Sequence, residues 1–405
     1  MPPCPPPPDP SRPFEVAIAG AGPAGASLAL KLARRGVRIA LLDAAVFPRD
    51  KLCGEFLSPE AWSVLDRLGL ANEVAQSGYH AIRRVRLSTP RGRILDAEIL
   101  RPDGRPGLGL SRSILDNLLV QQARKAGATV FEGCRVGGPI IRDGRVVGLR
   151  GRHAVLGAIE VEATVVIAAD GRRSVLVQQT GMIRGGSRFR PRYFGLKRHL
   201  TIAEPIAAGP DGTVSLHLLP GGYGGICRIE GSLTNLCALL PESALHRHRG
   251  RLDDLATDWF GRNPILARCW RSAVPASGWK TVSGIRVEVA TPRLPGILYA
   301  GDCQGTVDPL GGQGMTMALL GAELLTPFVA QALASGGADP CLQRAYVTAW
   351  HRRFDRRVRL CRLFHHILVN PALIDLASAW RPLATWLLAA GYRRTRDPET
   401  MITTA

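Results

Sequence analysis

Residues 14–43 read Phe14-Glu15-Val-Ala-Ile-Ala-Gly20-Ala-Gly22-Pro23-Ala24-Gly25, then Ala26 to Arg35, then Val37-Arg-Ile-Ala-Leu-Leu42-Asp43. Glu15 to Gly20 is an apolar run of strand length. Ala26 to Arg35 has helical character, with Leu28, Leu32 and the alanines on the face turned to a sheet. Val37 to Leu42 is the next strand. The three glycines serve different ends. Gly20 permits the tight turn, Gly22 lets the backbone approach a pyrophosphate, and Gly25 lets helix and strand pack closely. The helix start points free N–H groups at the phosphates. Asp43 follows Gly20 by 23 residues, where an acid accepts hydrogen bonds from a ribose. Strand, glycine turn, helix and acid together specify a Rossmann-type α/β cradle.

Two later stretches have the same grammar. Thr164-Val-Val-Ile-Ala-Ala-Asp170-Gly171 is a buried strand ending in Asp-Gly. Ile297-Leu-Tyr-Ala-Gly301-Asp302 is another strand, followed by Asp308-Pro309-Leu-Gly311-Gly312-Gln313-Gly314-Met315 and an apolar helix from Thr316 to Leu325. In this order the three motifs resemble the fingerprints of the FAD-dependent superfamily that includes aromatic-ring hydroxylases and geranylgeranyl reductases. The resemblance covers residues 14 to about 330. Its implied fold is a Rossmann-type FAD-binding domain (14–75, 106–185 and 286–330) interleaved with an antiparallel-sheet substrate domain (76–105 and 186–285). A disordered proline-rich tail (1–13) and a helical C-terminal region (331–405) complete the expected organisation.

The resemblance also implies roles. FAD contacts fall to Gly20, Gly22, Pro23, Ala24, Gly25, Asp43, Val136, Asp170, Gly171 and Gly301. Asp302 holds the ribityl chain, and Pro309, Gly311, Gly312, Gln313, Gly314 and Met315 pass beside the isoalloxazine ring. The helix after them turns its positive end to the flavin N1/O2 edge, which becomes anionic on reduction. Arg112, opening Leu110-Ser-Arg112-Ser-Ile-Leu, matches an arginine near the phosphates and ribityl. Phe47-Pro-Arg49-Asp-Lys51-Leu-Cys53-Gly54-Glu55 resembles the segment that geranylgeranyl reductases and halogenase-like flavoproteins carry. It would bring Arg49 and Lys51 to the phosphates and Cys53-Gly54 to the ring. Cys53 is a candidate for active-site chemistry or a small buried apolar side chain. Glu55 is an acid near the ring or a surface residue.

Val85-Arg-Leu-Ser, Thr213 to Leu219 and Leu236 to Leu240 alternate as antiparallel strands do. They would roof the flavin, with Lys197, His199 and Tyr223 as candidates for facing the substrate. The Tyr-x-Trp-x-Phe-Pro box of prenyl reductases and the Trp-x-Trp-x-Ile-Pro box of halogenases are both absent from Tyr223-Gly-Gly-Ile-Cys-Arg228. Gly311 to Met315 follows the hydroxylase pattern, whereas Lys51-x-Cys-Gly leans toward the reductases. The implied activity is oxygenation of an apolar, phenolic or polyketide-like molecule through a flavin C4a-hydroperoxide, with NAD(P)H as a transient electron donor. The alternative is reduction of isoprenoid C=C bonds, and a third reading is a non-catalytic membrane-associated flavoprotein. No second cradle is visible, so a nicotinamide would visit the surface or a separate reductase would supply electrons.

Composition limits the remaining classes. The chain has 405 residues, 46% hydrophobic, and a net charge of +19 carried mostly by arginine. The basic residues are scattered, with no nucleic-acid motif, so no nucleic-acid partner is expected; an acidic membrane surface, an anionic cofactor or a genome that prefers Arg codons remain as readings of the charge. Nine cysteines without a CxxC pair argue against disulfides or zinc and for a reducing cytoplasm. His246/His248 and His365/His366 lack partners at metal spacing, so no metal site is expected. No signal peptide is seen, and no uninterrupted apolar run reaches the ~18 residues of a membrane span. Residues 340–405 hold 11 Arg, no Lys and 4 acids, with Pro371 and Pro382 expected to break the helix. Mixed with Trp350, Phe354 and Leu363, they would cap the flavin domain or lie peripherally on an inner-membrane face.

Overall fold

The computed structural model describes residues 13–184, 193–202, 210–285, 287–370, 374 and 380–396. The proline-rich stretch 1–12 and Pro371 lie outside them. Strand Phe14–Ala19 is the centre of a parallel sheet, flanked by Ile39–Asp43 and by Gly157–Ala168. Thr129–Glu132 adds beyond Ile39–Asp43, and Ile297–Tyr299 pairs with the end of Gly157–Ala168. The first half of that long strand pairs instead with Arg145–His153 and, through it, Cys134–Arg142, both antiparallel. Val16, Ile18, Leu41, Val165 and Ile167 are fully buried, as expected for strands covered on both faces. Helices Pro23–Ala33, Arg112–Lys125 and Gly314–Ala334 cover one face in a common apolar cluster.

The helix expected from Thr316 runs Gly314–Ala334 and is long and apolar enough to cross a membrane. Glu323 interrupts its apolar run, and half of its most apolar window is buried inside the protein. It packs here as a core helix: Leu319, Leu320, Leu325 and Val329 are fully buried.

A second, eight-stranded sheet is built from residues 84–98 and 193–285. Its pairs are antiparallel except one: Arg84–Ser88 runs parallel to Thr213–Leu219. A parallel neighbour needs a long crossover, and here part of the flavin-side fold lies between the two strands in sequence. His217, on this sheet, is buried and its ring stands 2.8 Å from the Ser88 hydroxyl. Burial, with Arg86 nearby, pushes its pKa from 6.5 down to about 3. The unfolded chain therefore takes the proton first. Stability is complete above about pH 6.5 and is lost as pH falls toward 3. Between pH 7.5 and 5 this one group removes about 2 kcal/mol. Urea unfolding at both pH values should show that loss in the parent and not in His217→Gln; equal slopes would refute it.

The C-terminal region is helical over Pro340–Leu368 and Arg381–Arg394. Asp339 caps the first helix, accepting from the N–H groups of Cys341 and Leu342. Pro382 starts the second helix rather than breaking one, because proline suits a first turn. Tyr346 donates to the Tyr299 carbonyl at 2.9 Å, and buried Arg357 makes two 3.0 Å bonds to buried Glu60.

Candidate active site

The glycine turn is built as its spacing requires. Gly20 has φ +100°, and a Cβ there would stand 2.3 Å from the Ala169 carbonyl oxygen. A Cβ on Gly25 would stand 1.9 Å from the Gly20 oxygen. Only bare backbone lets helix and strand approach this closely. The helix Pro23–Ala33 begins without a side-chain cap, which leaves its first N–H groups for an anion. Asp43 accepts from the Ala21 and Ala45 N–H groups, each at 2.8 Å, and so is fixed beside the turn.

Three cations converge there. The place of a Gly22 Cβ lies 3.6 Å from the Arg112 guanidinium and 3.9 Å from that of Arg49. Both arginines pair with buried Asp116, at 2.6 and 2.5 Å. Lys51 Nζ is 3.5 Å from the place of a Gly171 Cβ. Its pKa is lowered, first by burial and then by Arg112 and Arg49, against the pull of Asp302 and Asp43. Burial opposes the charge on Arg112, but Asp116, with help from Cys53, outweighs it and raises the pKa. Three cations beside a glycine turn and an uncapped helix start suit a pyrophosphate.

Asp170 accepts from the Val175 N–H at 3.1 Å, and Gly171 turns with φ +90°. Asp302 pairs with Arg172 at 3.1 Å on the cavity wall. A side chain on Gly301 would stand 2.8 Å from Ala24 Cβ. In the loop 308–314, Gly312 adopts a left-handed conformation beside Phe56. Gln313 donates to Cys361 Sγ at 3.6 Å. The helix beginning at Gly314 has neither a capping side chain nor an acid in its first turn. Its positive end is open to an anionic ring edge.

These elements wall a cavity of about 1050 Å³, larger than the roughly 300–1,000 Å³ usual for small-molecule pockets. Gly22, Pro23, Ala24, Lys51, Cys53, Gly54, Arg112, Asp170, Gly171, Gly301, Asp302, Pro309 and Gly311 to Met315 all line it. Gly20, Gly25, Asp43 and Arg49 stand behind the lining and support it. Val136 is half-buried against the apolar cluster on another part of the sheet and does not reach the cavity. Tyr223 lines the cavity from the second sheet, and its pKa is raised well above 10, first by burial.

Lys197 and His199 do not face a substrate, which corrects the expectation for both. They share a strand face with Gly195, which does line the cavity, but the 50–55 loop covers that face beyond it. Lys197 Nζ bonds Asp50 at 2.5 Å and Glu55 at 2.6 Å, and His199 Nε2 lies 2.7 Å from Glu55. Glu55 is fully buried, with φ +53°, and also accepts from the Arg112 N–H at 2.9 Å. It is not on the surface, and it does not line the cavity. The cluster clamps the loop that presents Cys53, whose carbonyl accepts from Asn235 at 3.0 Å. Asp50, Glu55 and His199 bring ligand atoms within 4.8 Å of one another, but the Lys197 ammonium already bridges the two carboxylates.

One constellation escaped the sequence reading. His365 Nδ1 lies 3.0 Å from Asp308, and its Nε2 lies 2.9 Å from the Tyr193 hydroxyl. The consistent neutral tautomer donates from Nδ1 to the carboxylate and accepts from the phenol. Burial, and then Asp308, raise the Tyr193 pKa. This chain of bonds ties the start of the flavin loop to the C-terminal helix and to the second sheet.

Residues 13–360 match the family described as FAD binding domain. The chain is 28% identical to menaquinone reductase of Mycolicibacterium smegmatis over 395 residues, 89% of this chain and 86% of that protein. It is 26% identical to digeranylgeranylglycerophospholipid reductase of Thermoplasma volcanium over 351 residues, 85% of each. It is 25% identical to conditioned medium factor receptor 1 of Dictyostelium discoideum over 390 residues, 90% of this chain and 73% of that one. Among solved structures, the myxobacterial chondrochloren halogenase shares the fold with TM-score 0.79 at 21% identity, covering 88% of this chain and 83% of its own. A geranylgeranyl bacteriochlorophyll reductase-like protein of Thermoplasma acidophilum does so with TM-score 0.76 at 19% identity, covering 95% and 96%. With the cradle, the three cations and the ring-side loop in place, the chain belongs to the FAD-binding-domain family and is an FAD-dependent oxidoreductase.

Proposed function

We propose that this enzyme reduces a C=C bond in a polyisoprenoid chain, such as that of a prenylated quinone or lipid. The observation that carries the reading is the apolar lining of a large cavity. Beside the ring-side loop at Gly312 to Met315, it is lined by apolar strand residues, including Val214, Leu216 and Ile226, and by Phe364, Trp386 and Leu387 of the C-terminal helices. A long apolar chain suits that lining. The names of the menaquinone and digeranylgeranylglycerophospholipid reductases support reduction over the oxygenation that the ring-side loop motif suggested.

Bound FAD supplies the hydride equivalent to one carbon of the double bond. The other carbon needs a proton, and we assign its delivery to Cys53 Sγ. That thiol lines the cavity, the Glu55 N–H donates to it at 3.4 Å, and it interacts with the Arg112 guanidinium. Arg112 stabilises the thiolate left behind, and water restores the proton. Burial raises the pKa of Tyr223 well above 10 and that of Cys237 to about 12. Both keep their protons and shape the wall. The test is product mass: in detergent, with dithionite and no air, a geranylgeranyl lipid should gain two hydrogens. Cys53→Ala should retain FAD and lose about 100-fold or more in turnover, a typical general-acid contribution. A product heavier by one oxygen, formed only in air, would overturn the proposal.

A further inference from the structure

The large apolar side chains left in water are concentrated in one place. Nine are exposed among the described residues, and five of them, Leu363, Trp380, Leu383, Trp386 and Leu387, belong to the C-terminal region. Along the last helix, Ala384, Leu388 and Gly391 turn inward at helical spacing. Trp380, Leu383 and Leu387 lie on the adjoining face, and Trp380 is 66% exposed and Trp386 56% exposed. Soluble surfaces seldom leave such a patch without a use.

Its rim is basic. On helix Pro340–Leu368, exposed Arg352, Arg356 and Arg359 follow one face toward Leu363, and exposed Arg393 and Arg394 close the last helix. Residues 340–396 contain eleven arginines against Asp355 and Asp375. The patch also meets the cavity: Leu363, Trp386 and Leu387 are exposed and line it. The cavity therefore reaches this face.

We infer that this face docks on an anionic lipid bilayer, with the tryptophans and leucines among the acyl chains and the arginines on the headgroups. The inference deepens the proposed function by naming where its substrate enters. A second copy of the chain would seal the mouth, whereas a bilayer leaves its isoprenoids free to move in. Tryptophan suits the interface, arginine reaches headgroups from an apolar stem, and anionic lipid attracts a basic surface.

The test is flotation of the FAD-loaded protein with vesicles of phosphatidylethanolamine and phosphatidylglycerol, and with phosphatidylcholine alone. Binding to the anionic vesicles, weakened by salt and reduced about tenfold or more by Trp380→Glu/Leu383→Glu, is the expected result. Neither residue lines the cavity, so the variant should turn over detergent-dispersed substrate as the parent does. No flotation of the parent, or equal flotation of the variant, overturns the inference. So does a dimer, seen by light scattering, that the variant dissociates, because a second copy then covers the face. Absence of detergent-phase turnover in both proteins, with flotation intact, would sink the proposed activity and leave the docking surface standing.

Discussion

Lys197→Met should lower the unfolding free energy by about 3–5 kcal/mol, the cost of stranding one partner of a buried ion pair. Lys197 is 1% exposed and bridges Asp50 and fully buried Glu55. Without the ammonium, Glu55 keeps only His199 and the Arg112 N–H, and a desolvated carboxylate is poorly served by two donors. The same substitution loosens the loop carrying Lys51 and Cys53, so FAD affinity should fall with stability. Adding Glu55→Gln removes the stranded charge and should recover part of the loss. Urea unfolding of the two single variants and the double variant gives the coupling energy directly. A loss below about 1 kcal/mol, the range of surface pairs, would show that the cluster is not a structural clamp.

Arg112→Met should release the cofactor. Truncating one member of a buried, hydrogen-bonded charge pair costs about 2–5 kcal/mol, or roughly 30-fold to several thousand-fold in the FAD dissociation constant. Arg112 is 7% exposed, bonds Asp116 at 2.6 Å and faces the glycine turn. Its loss both removes a phosphate partner and leaves Asp116, at 0% exposure, with Arg49 alone. Arg124→Met on the same helix is the control. Its partner is Glu132, at 2.8 Å and away from the cavity, so FAD binding should not change. Fluorescence titration of the apoproteins separates the two, and equal affinities would refute the assignment of the phosphate site.

The cradle was legible because its signals are local. A strand, three glycines and an acid lie within 30 residues, and the two later fingerprints repeat that compactness. Each glycine answers to backbone sterics that hold wherever the segment folds. The Lys51-Cys53-Gly54 segment was assigned by resemblance, and its three residues line the cavity. Lys197 and His199 show where such reading stops. Strand alternation puts both on one face, but does not say whether a substrate or another loop covers it. Here a loop 147 residues earlier in the chain does so. Asp308, His365 and Tyr193 meet across 57 and 172 residues, and no spacing rule links them. The parallel pair in the second sheet was hidden likewise, since alternation reports burial and not strand direction.

The proposed reaction moves two electrons from flavin to an isoprenoid without oxygen, and a single anaerobic turnover tests that most directly. FAD in the protein is reduced with one equivalent of dithionite and mixed with a geranylgeranyl lipid in a stopped-flow cell. The prediction is return of the oxidised flavin spectrum in air-free buffer, with one C=C bond saturated per flavin. A flavin that stays reduced through a panel of such lipids and reoxidises only when air is admitted, with oxygen found in an organic product, would contradict it.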